Sequence, residues 1–464
     1  MGPDPSSMIG DRSRPLATLQ GPLGGGIRDT IMEGRLRGEV EKRHLVLRRW
    51  FAQQHAAEGR HLIDVGTDYG YPFFTGYPPT EAAITAIGDS AATARFYPSS
   101  YGTASLRTAF TAFMRHRFDV GLDPDTQVMV STGASQTFDA LSRTMAGRYV
   151  LVPQLTLSTV TSIATGNGAQ IVRIGDDAHG NPDLDDLRRL IQTLGPEDIR
   201  FVYINSPANP TGHVLDVAYL HRLVEVARQF QVLLVHDHDS WHTLHTGQPA
   251  PSILQLPGAL DVAVTIVSLS KELGLPGVRV GLIAGNAWAV NALRIHNSEF
   301  CVMVPEFCQA AATTALKLYT TYGGEPGSRH LVQQQIAQAL RMALTGWASL
   351  GWPPEAMYPP AAGFKFLLRV PPAFAAGPDE GGISAVELFD FLTARDAGVK
   401  LSTSRSFNPA VCDRIRMIVM QPPDVMREIF EALASAGVHY RMTMPEGLAG
   451  DYRAVIAGLD LGNL

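Results

Sequence analysis

The chain has 464 residues, of which 45% are hydrophobic and 18% are charged, a balance typical of folded globular proteins. Its formal net charge of −6 gives no reason to expect a nucleic-acid partner or an anionic membrane surface. Three cysteines without disulfide or metal-site spacing fit a reducing compartment. Neither a membrane-spanning run nor a signal-peptide pattern is evident, and we therefore predict a cytoplasmic protein.

The first part of the chain predicts a tail, a helix and a loop. Residues 1–28 are rich in Pro, Gly and Ser and predict a flexible tail. A charged amphipathic helix follows, to about Ala57. The segment Leu62–Gly76 is a short strand that runs into a loop of glycines and aromatic residues. Clustered Tyr and Phe favour contact with a ligand, and a turn with exposed aromatics is the alternative.

A glycine turn connects the next strand to a helix. The segment Val128–Gln136 predicts a strand that passes through Gly133 into a helix. Helix N-termini present free N–H groups and a positive dipole end, which suit a phosphate. Strand–glycine–helix turns are common, so this pattern alone is a weak signal. A helix from Ser105 to about Phe118 and a strand at Tyr149–Pro153 are also predicted.

Polar residues follow two further predicted strands. The segment Asn205–Gly212 contains Asn-Pro and Thr-Gly, which favour a tight turn. A second apolar run ends in Asp237, at the strand end where open α/β sheets place ligand contacts. The histidine-rich run after it could ligate a metal. We instead expect no metal, and expect one or more of its residues to line a substrate pocket or to move protons; the candidates are His238, Asp239 and His242.

The segment Ser268–Gly281 contains a lysine between hydroxyls and glycines. It follows the apolar β-branched run Val262–Val267, which predicts a buried strand. Lys271 could be an amine nucleophile that forms a Schiff base with a carbonyl, while the hydroxyls and Arg279 hold an anion. An exposed lysine without a special role is the alternative.

The C-terminal part predicts helices and then strands. The pattern is helical from Val290 to about Leu350 with a break at Tyr322–Gly327, and Gly363–Val370 alternates as a strand does. Arg414 and Arg416 lie on one face of a further strand, because residues two apart point the same way. The planar fork of an arginine suits a bidentate grip on a carboxylate. We expect Arg414 to face solvent, and a second anchor beside Arg416 is the alternative. Arg405 adds a charge near the mouth of the pocket.

Three of these segments together resemble one known family. They are Ser268–Gly281, Asn205–Gly212 and the strand end at Asp237. The spacing matches as well, since Asp237 comes 28 residues after Asn209 (237 − 209) and Lys271 comes 34 residues after Asp237 (271 − 237). In this order the segments resemble the class I/II aminotransferases, which are fold type I enzymes that use pyridoxal 5'-phosphate (PLP).

The resemblance covers nearly everything after residue 28, and it implies an α/β fold in two domains. The large PLP-binding domain would take residues 77–325 around a mostly parallel sheet. The small domain would be built from both chain ends, residues 29–76 and 326–464.

The resemblance also implies a role for particular residues. Lys271 would carry PLP as a Schiff base, and Asp237 would partner the pyridinium nitrogen. The other implied cofactor contacts are Tyr97 of a neighbouring subunit, Gly133, Ala134, Ser135, Leu157, Asn209, Ser240, Ser268, Ser270 and Arg279. The implied substrate contacts are Gly66, Tyr69, Gly70 and Arg416, to which the chain's own pattern adds His238.

Two positions depart from the family. Leu157 stands where the family has an aromatic residue that stacks on the pyridine ring, and Ser240 stands where it has a tyrosine. We predict an aminotransferase-like homodimer with a shared active site that acts on an amino acid. The alternative is β- or γ-elimination, replacement or cyclisation, for example on S-adenosylmethionine or a modified arginine.

Overall fold

The computed structural model describes residues 39–66, 78–238, 244–300, 302–322, 328–379 and 381–459. The tail predicted at residues 1–28 lies outside this range. The described strands are β1 (Ile63–Asp64), β2 (Val128–Ser131), β3 (Tyr149–Val152), β4 (Gln170–Arg173), β5 (Ile199–Asn205), β6 (Leu234–Asp237), β7 (Ala263–Ser268), β8 (Gly281–Gly285), β9 (Met357–Tyr358), β10 (Lys365–Arg369), β11 (Val399–Lys400), β12 (Ser402–Thr403) and β13 (Arg414–Ile418).

Helices connect and cover these strands. The described α-helices are α1 (Glu39–Ala57), α2 (Pro78–Asp89), α3 (Ala104–Phe118), α4 (Ala134–Thr144), α5 (Ser158–Gly166), α6 (Leu184–Leu194), α7 (Val217–Phe230), α8 (Ala259–Val262), α9 (Leu269–Glu272), α10 (Ala287–Glu299), α11 (Glu306–Tyr322), α12 (Ser328–Ser349), α13 (Ala385–Leu392), α14 (Pro423–Ser435) and α15 (Leu448–Ala457). Side-chain caps mark several starts. Asp183 accepts from two backbone N–H groups of α6, and Asp216 accepts from one of α7.

The largest sheet has seven strands in the order β2–β8–β7–β6–β5–β3–β4. Strand β8 is antiparallel to both of its neighbours, and the other pairs are parallel. Helices α4, α5 and α10 cover one face, and α3, α6 and α7 cover the other. Because both faces are covered, β7 is buried along its whole length and reads as a continuous apolar run. The expected α/β fold with a mostly parallel sheet is confirmed.

A smaller sheet is built from the C-terminal part of the chain. Its strand order is β12–β13–β10–β9, and its pairs are antiparallel. Strand β1 pairs in parallel with β11, so a segment near the start of the chain joins this part. The backbone N–H of Ile418 also donates to the carbonyl of Val65 at 2.7 Å. The division into domains at residues 77 and 325 stays a prediction.

The region from residue 290 to 350 differs in detail from its helical pattern. It contains the end of α10, then α11 and α12, and residues 323–327 between the last two lie outside the described residues. The described residues between Glu299 and Glu306 are not helical. The segment Val302–Pro305 explains this break, because Pro305 disfavours a helical conformation in the residue before it. None of the described helices is long and apolar enough to cross a membrane.

Candidate active site

Parallel strands of the large sheet end in polar residues at one edge. Strand β5 ends at Asn205, β6 at Asp237 and β7 at Ser268. Asn205 pairs with Asp237 in register, and Ser268 pairs with Gly281 of β8. Lys271 follows β7 in the short helix α9 and is half-buried. The structure therefore collects these side chains at the carboxyl edge, where open α/β sheets bind their ligands.

A glycine turn lies beside an arginine at this edge. Gly133 precedes α4 with a φ of 82°, a conformation that favours glycine. A Cβ atom at Gly133 would lie 2.7 Å from Nη2 of Arg279, so the guanidinium can approach only because the side chain is absent. Ala134 and Ser135 begin α4, and the first N–H groups of a helix have no acceptor within it. The turn thus combines a cation with free backbone donors.

Hydroxyl groups complete the same corner. Ser268 precedes α9, and its Oγ accepts a hydrogen bond from the backbone N–H of Ser270 at 3.1 Å. Both serines are buried. Nη1 of Arg279 donates to the carbonyl of Pro276 at 3.0 Å, which orients the guanidinium. A guanidinium, serine hydroxyls and a helix N-terminus together form an anion site of the kind that binds phosphate.

Asp237 is held by two residues of the neighbouring strand β5. The Tyr203 hydroxyl donates to Oδ2 of Asp237 at 2.6 Å, and Nδ2 of Asn205 donates to the Asp237 carbonyl at 2.8 Å. Only 4% of Asp237 is exposed. A buried carboxylate needs such partners. Tyr203 and Asn205 were not predicted as site residues. The sequence signal that could have identified them is their position, two residues apart, at the end of an apolar strand.

The loop after β5 connects the two sheets. Oδ1 of Asn205 accepts a hydrogen bond from the backbone N–H of Asn209 at 2.6 Å, which fixes the turn. Oδ1 of Asn209 in turn accepts from Nη1 of Arg416 at 2.8 Å. The structure therefore brings a predicted cofactor contact of the large sheet against a predicted substrate contact of the small sheet.

Arg416 lies on β13 with 6% of its surface exposed. Its Nη2 donates to the carbonyl of Gly66, another predicted substrate contact, and lies 3.5 Å from Oγ of Ser402. Its Cζ lies 5.0 Å from the centroid of the Phe407 ring, which supports the flat guanidinium. Gly66 has no room for a side chain, since a Cβ would lie 2.5 Å from the carbonyl carbon of Leu401. Close contacts therefore position this arginine.

Leu157 and His238 occupy different surroundings. Leu157 immediately precedes α5, is half-buried and packs against the apolar cluster on the Asp237 face of the sheet. His238 is fully buried, stacks on His236 at 4.8 Å between ring centroids, and lies 5.2 Å from the Phe118 ring. These rings are on the opposite face of β6 from Asp237, because side chains alternate along a strand. The substrate contact proposed for His238 stays a prediction that this position does not favour.

Several predicted residues cannot be placed. Tyr69, Gly70 and Ser240 lie outside the described residues, as do Asp239 and His242. Tyr97 is described and is 95% exposed. An aromatic side chain so exposed has no role in the packing of its own chain.

Two arginines of the small sheet differ from expectation. Arg405 is buried rather than at the pocket mouth, because its Nη1 pairs with Glu387, which also pairs with Arg43. Arg414 is not solvent-facing, since only 30% of its side chain is exposed. Its Cζ lies 5.3 Å from the Tyr358 ring, and it lines a cavity.

Comparison with known proteins gives the same family as the site. Residues 67–433 match the family model of aminotransferase class I and II. The LL-diaminopimelate aminotransferase 2 of Trichormus variabilis is 30% identical over 334 residues, 69% of this chain and 79% of that protein. The enzyme of the same name from Nostoc is 28% identical over 83% of this chain and 93% of that protein. The solved structure of BacF from Bacillus subtilis superimposes with a TM-score of 0.73 at 20% identity, covering 85% of this chain and 96% of that one.

The chain belongs to the class I and II aminotransferases. It is a PLP-dependent enzyme with the fold of the type I group, as the resemblance implied. An amino acid is its substrate class, and the elimination, replacement or cyclisation alternative is not favoured by these relatives.

The residues present fit PLP. The space beside Gly133 that a Cβ would fill adjoins Arg279 and the α4 N-terminus. Ser268 pairs with Gly281, which lies against Gly133. Together these groups suit the phosphate. Asp237, held by Tyr203, supplies a carboxylate for a ring nitrogen, and Lys271 supplies an amine for the aldehyde. These three functions lie along one edge of the sheet.

Proposed function

We propose that the protein transfers the amino group of an L-amino acid to a 2-oxo acid. The observation that carries this proposal is the position of Arg416, whose guanidinium joins Asn209 of the cofactor loop to the carbonyl of Gly66. A planar cation fixed at that point is suited to hold the carboxylate of an amino acid next to the cofactor.

Bound PLP supplies an electron sink for the charge that develops on the substrate when its α-proton leaves. Lys271 is proposed to bind the cofactor aldehyde through Nζ and, once displaced by the substrate amine, to take the α-proton with the same atom. Lys271 is half-buried in α9, directly after the carboxyl end of β7. Lys271 would return the proton to a different carbon from the one it left. Release of the 2-oxo acid would consume one water molecule and leave the amino group on the cofactor, and the same steps in reverse would pass that group to the acceptor 2-oxo acid.

Asp237 is proposed to keep a proton on the ring nitrogen of PLP. The Tyr203 hydroxyl stabilises the charged form of this carboxylate, because hydrogen bonds to a carboxylate favour its ionised state. Gly133, Ala134, Ser135, Ser268, Ser270 and Arg279 are proposed to hold the phosphate, with Tyr97 contributed by a second subunit. Asn209 and Ser240 would contact the ring oxygen, and Leu157 would cover the ring face.

The remaining parts of the proposal concern assembly, location and substrate. We propose a homodimer with a shared site, supported by the exposure of Tyr97, and the cytoplasmic location expected from composition. A two-domain division at residues 77 and 325 is part of the same proposal. The names of two relatives make LL-diaminopimelate the first amino donor to test, before a panel of other L-amino acids.

The role of Arg416 is tested with Arg416→Gln. We expect kcat/KM for the amino donor to fall about 100-fold or more, because truncating a buried, hydrogen-bonded charge costs roughly 2–5 kcal/mol. The measurement is steady-state kinetics together with PLP binding. Arg369→Gln is the matched control, since Arg369 is an exposed arginine of the same sheet. Equal kcat/KM values for the two variants would contradict the assignment.

A further inference from the structure

A second cavity lies next to the loop that carries Asn209. Its volume is about 520 Å³, within the ~300–1,000 Å³ typical of small-molecule sites. Asn205, Ala208 and Thr211 line it, whereas neither Asn209 nor Arg416 does. The rest of the lining comes from β5, β9, β10 and β13 and from the loops after β3, β4, β5 and β9, and it includes the imidazoles of His179 and His213. This cavity is therefore separate from the cofactor edge, although one loop borders both.

Arg414 gives one wall of the cavity a positive charge. Its Cζ lies over the Tyr358 ring at 5.3 Å, and its Nε lies 3.5 Å from Oδ1 of Asp413. Within the described part of the chain, its guanidinium donates no hydrogen bond, and its Nε is buried without an acceptor. A guanidinium has five N–H donors. The planar group is thus supported by an aromatic ring while most of its donors are available to a ligand carboxylate.

Asp176 gives the cavity a negative charge. Burial raises the pKa of its carboxyl group, which the nearby charge of Arg414 partly offsets. No described residue donates a hydrogen bond to this carboxylate. Asp176 is solvent-exposed and lines the cavity, so its carboxylate can accept from an N–H donor or pair with a cation there. The negative charge of Asp176 in the lining also disfavours a ligand that carries only negative charge.

The remaining lining is largely apolar. It includes Leu155, Ile204, Met357 and Leu367, which come from both sheets and their loops. Such side chains favour a ligand with a hydrocarbon body, because apolar surface removed from water contributes roughly 25 cal/mol per Å².

We propose that this cavity binds a small zwitterion with an apolar body, of amino-acid to dipeptide size. Its carboxylate would contact Arg414, its ammonium would contact Asp176, and its side chains would pack against Met357 and Leu367. The site uses neither Lys271 nor Asp237. The proposal therefore stands or falls independently of the transamination proposed above.

Isothermal titration calorimetry on the PLP-loaded full chain tests this site. The probes are L-leucyl-L-leucine, its N-acetyl form without the ammonium, and its C-terminal amide without the carboxylate. The variants are Arg414→Gln and Asp176→Asn. Arg369→Gln is the control, because Arg369 pairs with Arg414 in register but does not line the cavity. Thermal unfolding of each variant shows that it is folded.

We expect saturable binding of the dipeptide and affinities at least about ten-fold lower for both blocked forms, as for other charge-assisted contacts. Arg414→Gln should remove the preference for the free carboxylate, and Asp176→Asn the preference for the free amine. Arg369→Gln should change neither. The proposal is overturned if the dipeptide does not bind, if the blocked forms bind equally well, or if both cavity variants bind as the unsubstituted protein does.

Titration with L-leucine distinguishes a free amino acid from a dipeptide as the ligand of this cavity. It is titrated into an Arg416→Gln protein, so that the carboxylate contact of the active site is absent. Binding that is lost on adding either Arg414→Gln or Asp176→Asn would assign the site to a free amino acid. Binding of the dipeptide alone, with the same dependence, would assign it to short peptides.

Discussion

The proposed phosphate site depends on the absence of a side chain at Gly133, next to Arg279. We expect Gly133→Ala to raise the dissociation constant for PLP at least about ten-fold, because the new Cβ would lie 2.7 Å from Nη2 of Arg279. The φ of 82° also strains any other residue there, by roughly 1–2 kcal/mol. PLP titration of the apoprotein, followed by absorbance, measures the effect.

Gly168→Ala is the matched control for backbone strain. Gly168 has a φ of 78°, and a Cβ there would meet nothing within 4 Å. Both variants should lose stability because both residues have a positive φ, while only Gly133→Ala should lose affinity for PLP. Unchanged PLP affinity in Gly133→Ala would show that the turn does not hold the phosphate.

At the scale of elements, a buried charge cluster ties α1, α13 and β11 together. Nζ of Lys400 pairs with Oδ2 of Asp390 and lies 3.0 Å from Nδ1 of His44, and Lys400 is fully buried. The other carboxylate oxygen of Asp390 accepts from the backbone N–H of Leu401 at 3.0 Å. Burial lowers the pKa of His44, and the positive charge of Lys400 lowers it further. The cluster thus ties α1 and α13 to β11, the strand that pairs with β1 just before Gly66.

Asp390→Asn should lower the free energy of unfolding by about 3–5 kcal/mol, because it leaves a buried ammonium without its counter-ion. Asp396→Asn is the control, since its pair with Arg395 is about one-third exposed and such surface pairs contribute about 0–1 kcal/mol. Chemical denaturation measures both variants. Equal losses of stability would mean that the cluster is not what holds these elements.

The same pair gives a pH dependence. Burial alone would raise the pKa of Asp390, but the charge of Lys400 and the nearby His44 hold it below its ordinary value. A carboxyl group with a lowered pKa contributes stability that is present above its unfolded pKa, about 3.9, and is lost as the pH falls through the folded value. The unsubstituted protein should therefore lose stability below about pH 4 more steeply than Asp390→Asn.

The strands that carry the chemistry could be predicted because their local signals agree. Strand β7 is an apolar β-branched run, and β6 ends at a carboxylate. Contacts between residues far apart in the chain had no local signal of this kind in the sequence. The Tyr203–Asp237 bond joins neighbouring strands 34 positions apart, and the burial of Arg405 depends on Glu387 and Arg43, which is 344 positions from Glu387. Spacing along one chain does not reveal such partners.

At the scale of the whole molecule, the exposed Tyr97 supports a shared active site. If Tyr97 completes the site of a second subunit, both Tyr97→Ala and Lys271→Ala should lose activity. The first loses a proposed phosphate contact, and the second loses the amine that would bind the cofactor aldehyde. Mixing the two variants after subunit exchange should restore activity, because one site of each hybrid dimer then has both residues intact. Activity assays and light scattering measure the result, and the unmixed variants are the controls. Hybrids no more active than the separate variants would contradict a shared site.

The fold of the whole molecule could be predicted from the sequence, whereas the second cavity could not. Asp176, Met357 and Arg414 are far apart along the chain, and only the packing of the two sheets brings them together. Arg414 illustrates the limit. Its position two residues before Arg416 shows that both share a strand face, but not that a ring beneath it and a cavity beside it replace solvent.

The central claim is tested most directly by a single turnover of the PLP-loaded protein with excess amino donor and no oxo-acid acceptor. LL-diaminopimelate is the first donor, followed by the panel, and mass spectrometry identifies both the organic product and the cofactor. The account predicts one equivalent of 2-oxo acid per site with the cofactor recovered as pyridoxamine phosphate, and no conversion in Lys271→Ala. Recovery of unchanged PLP together with a product that has lost a side-chain group would contradict transamination.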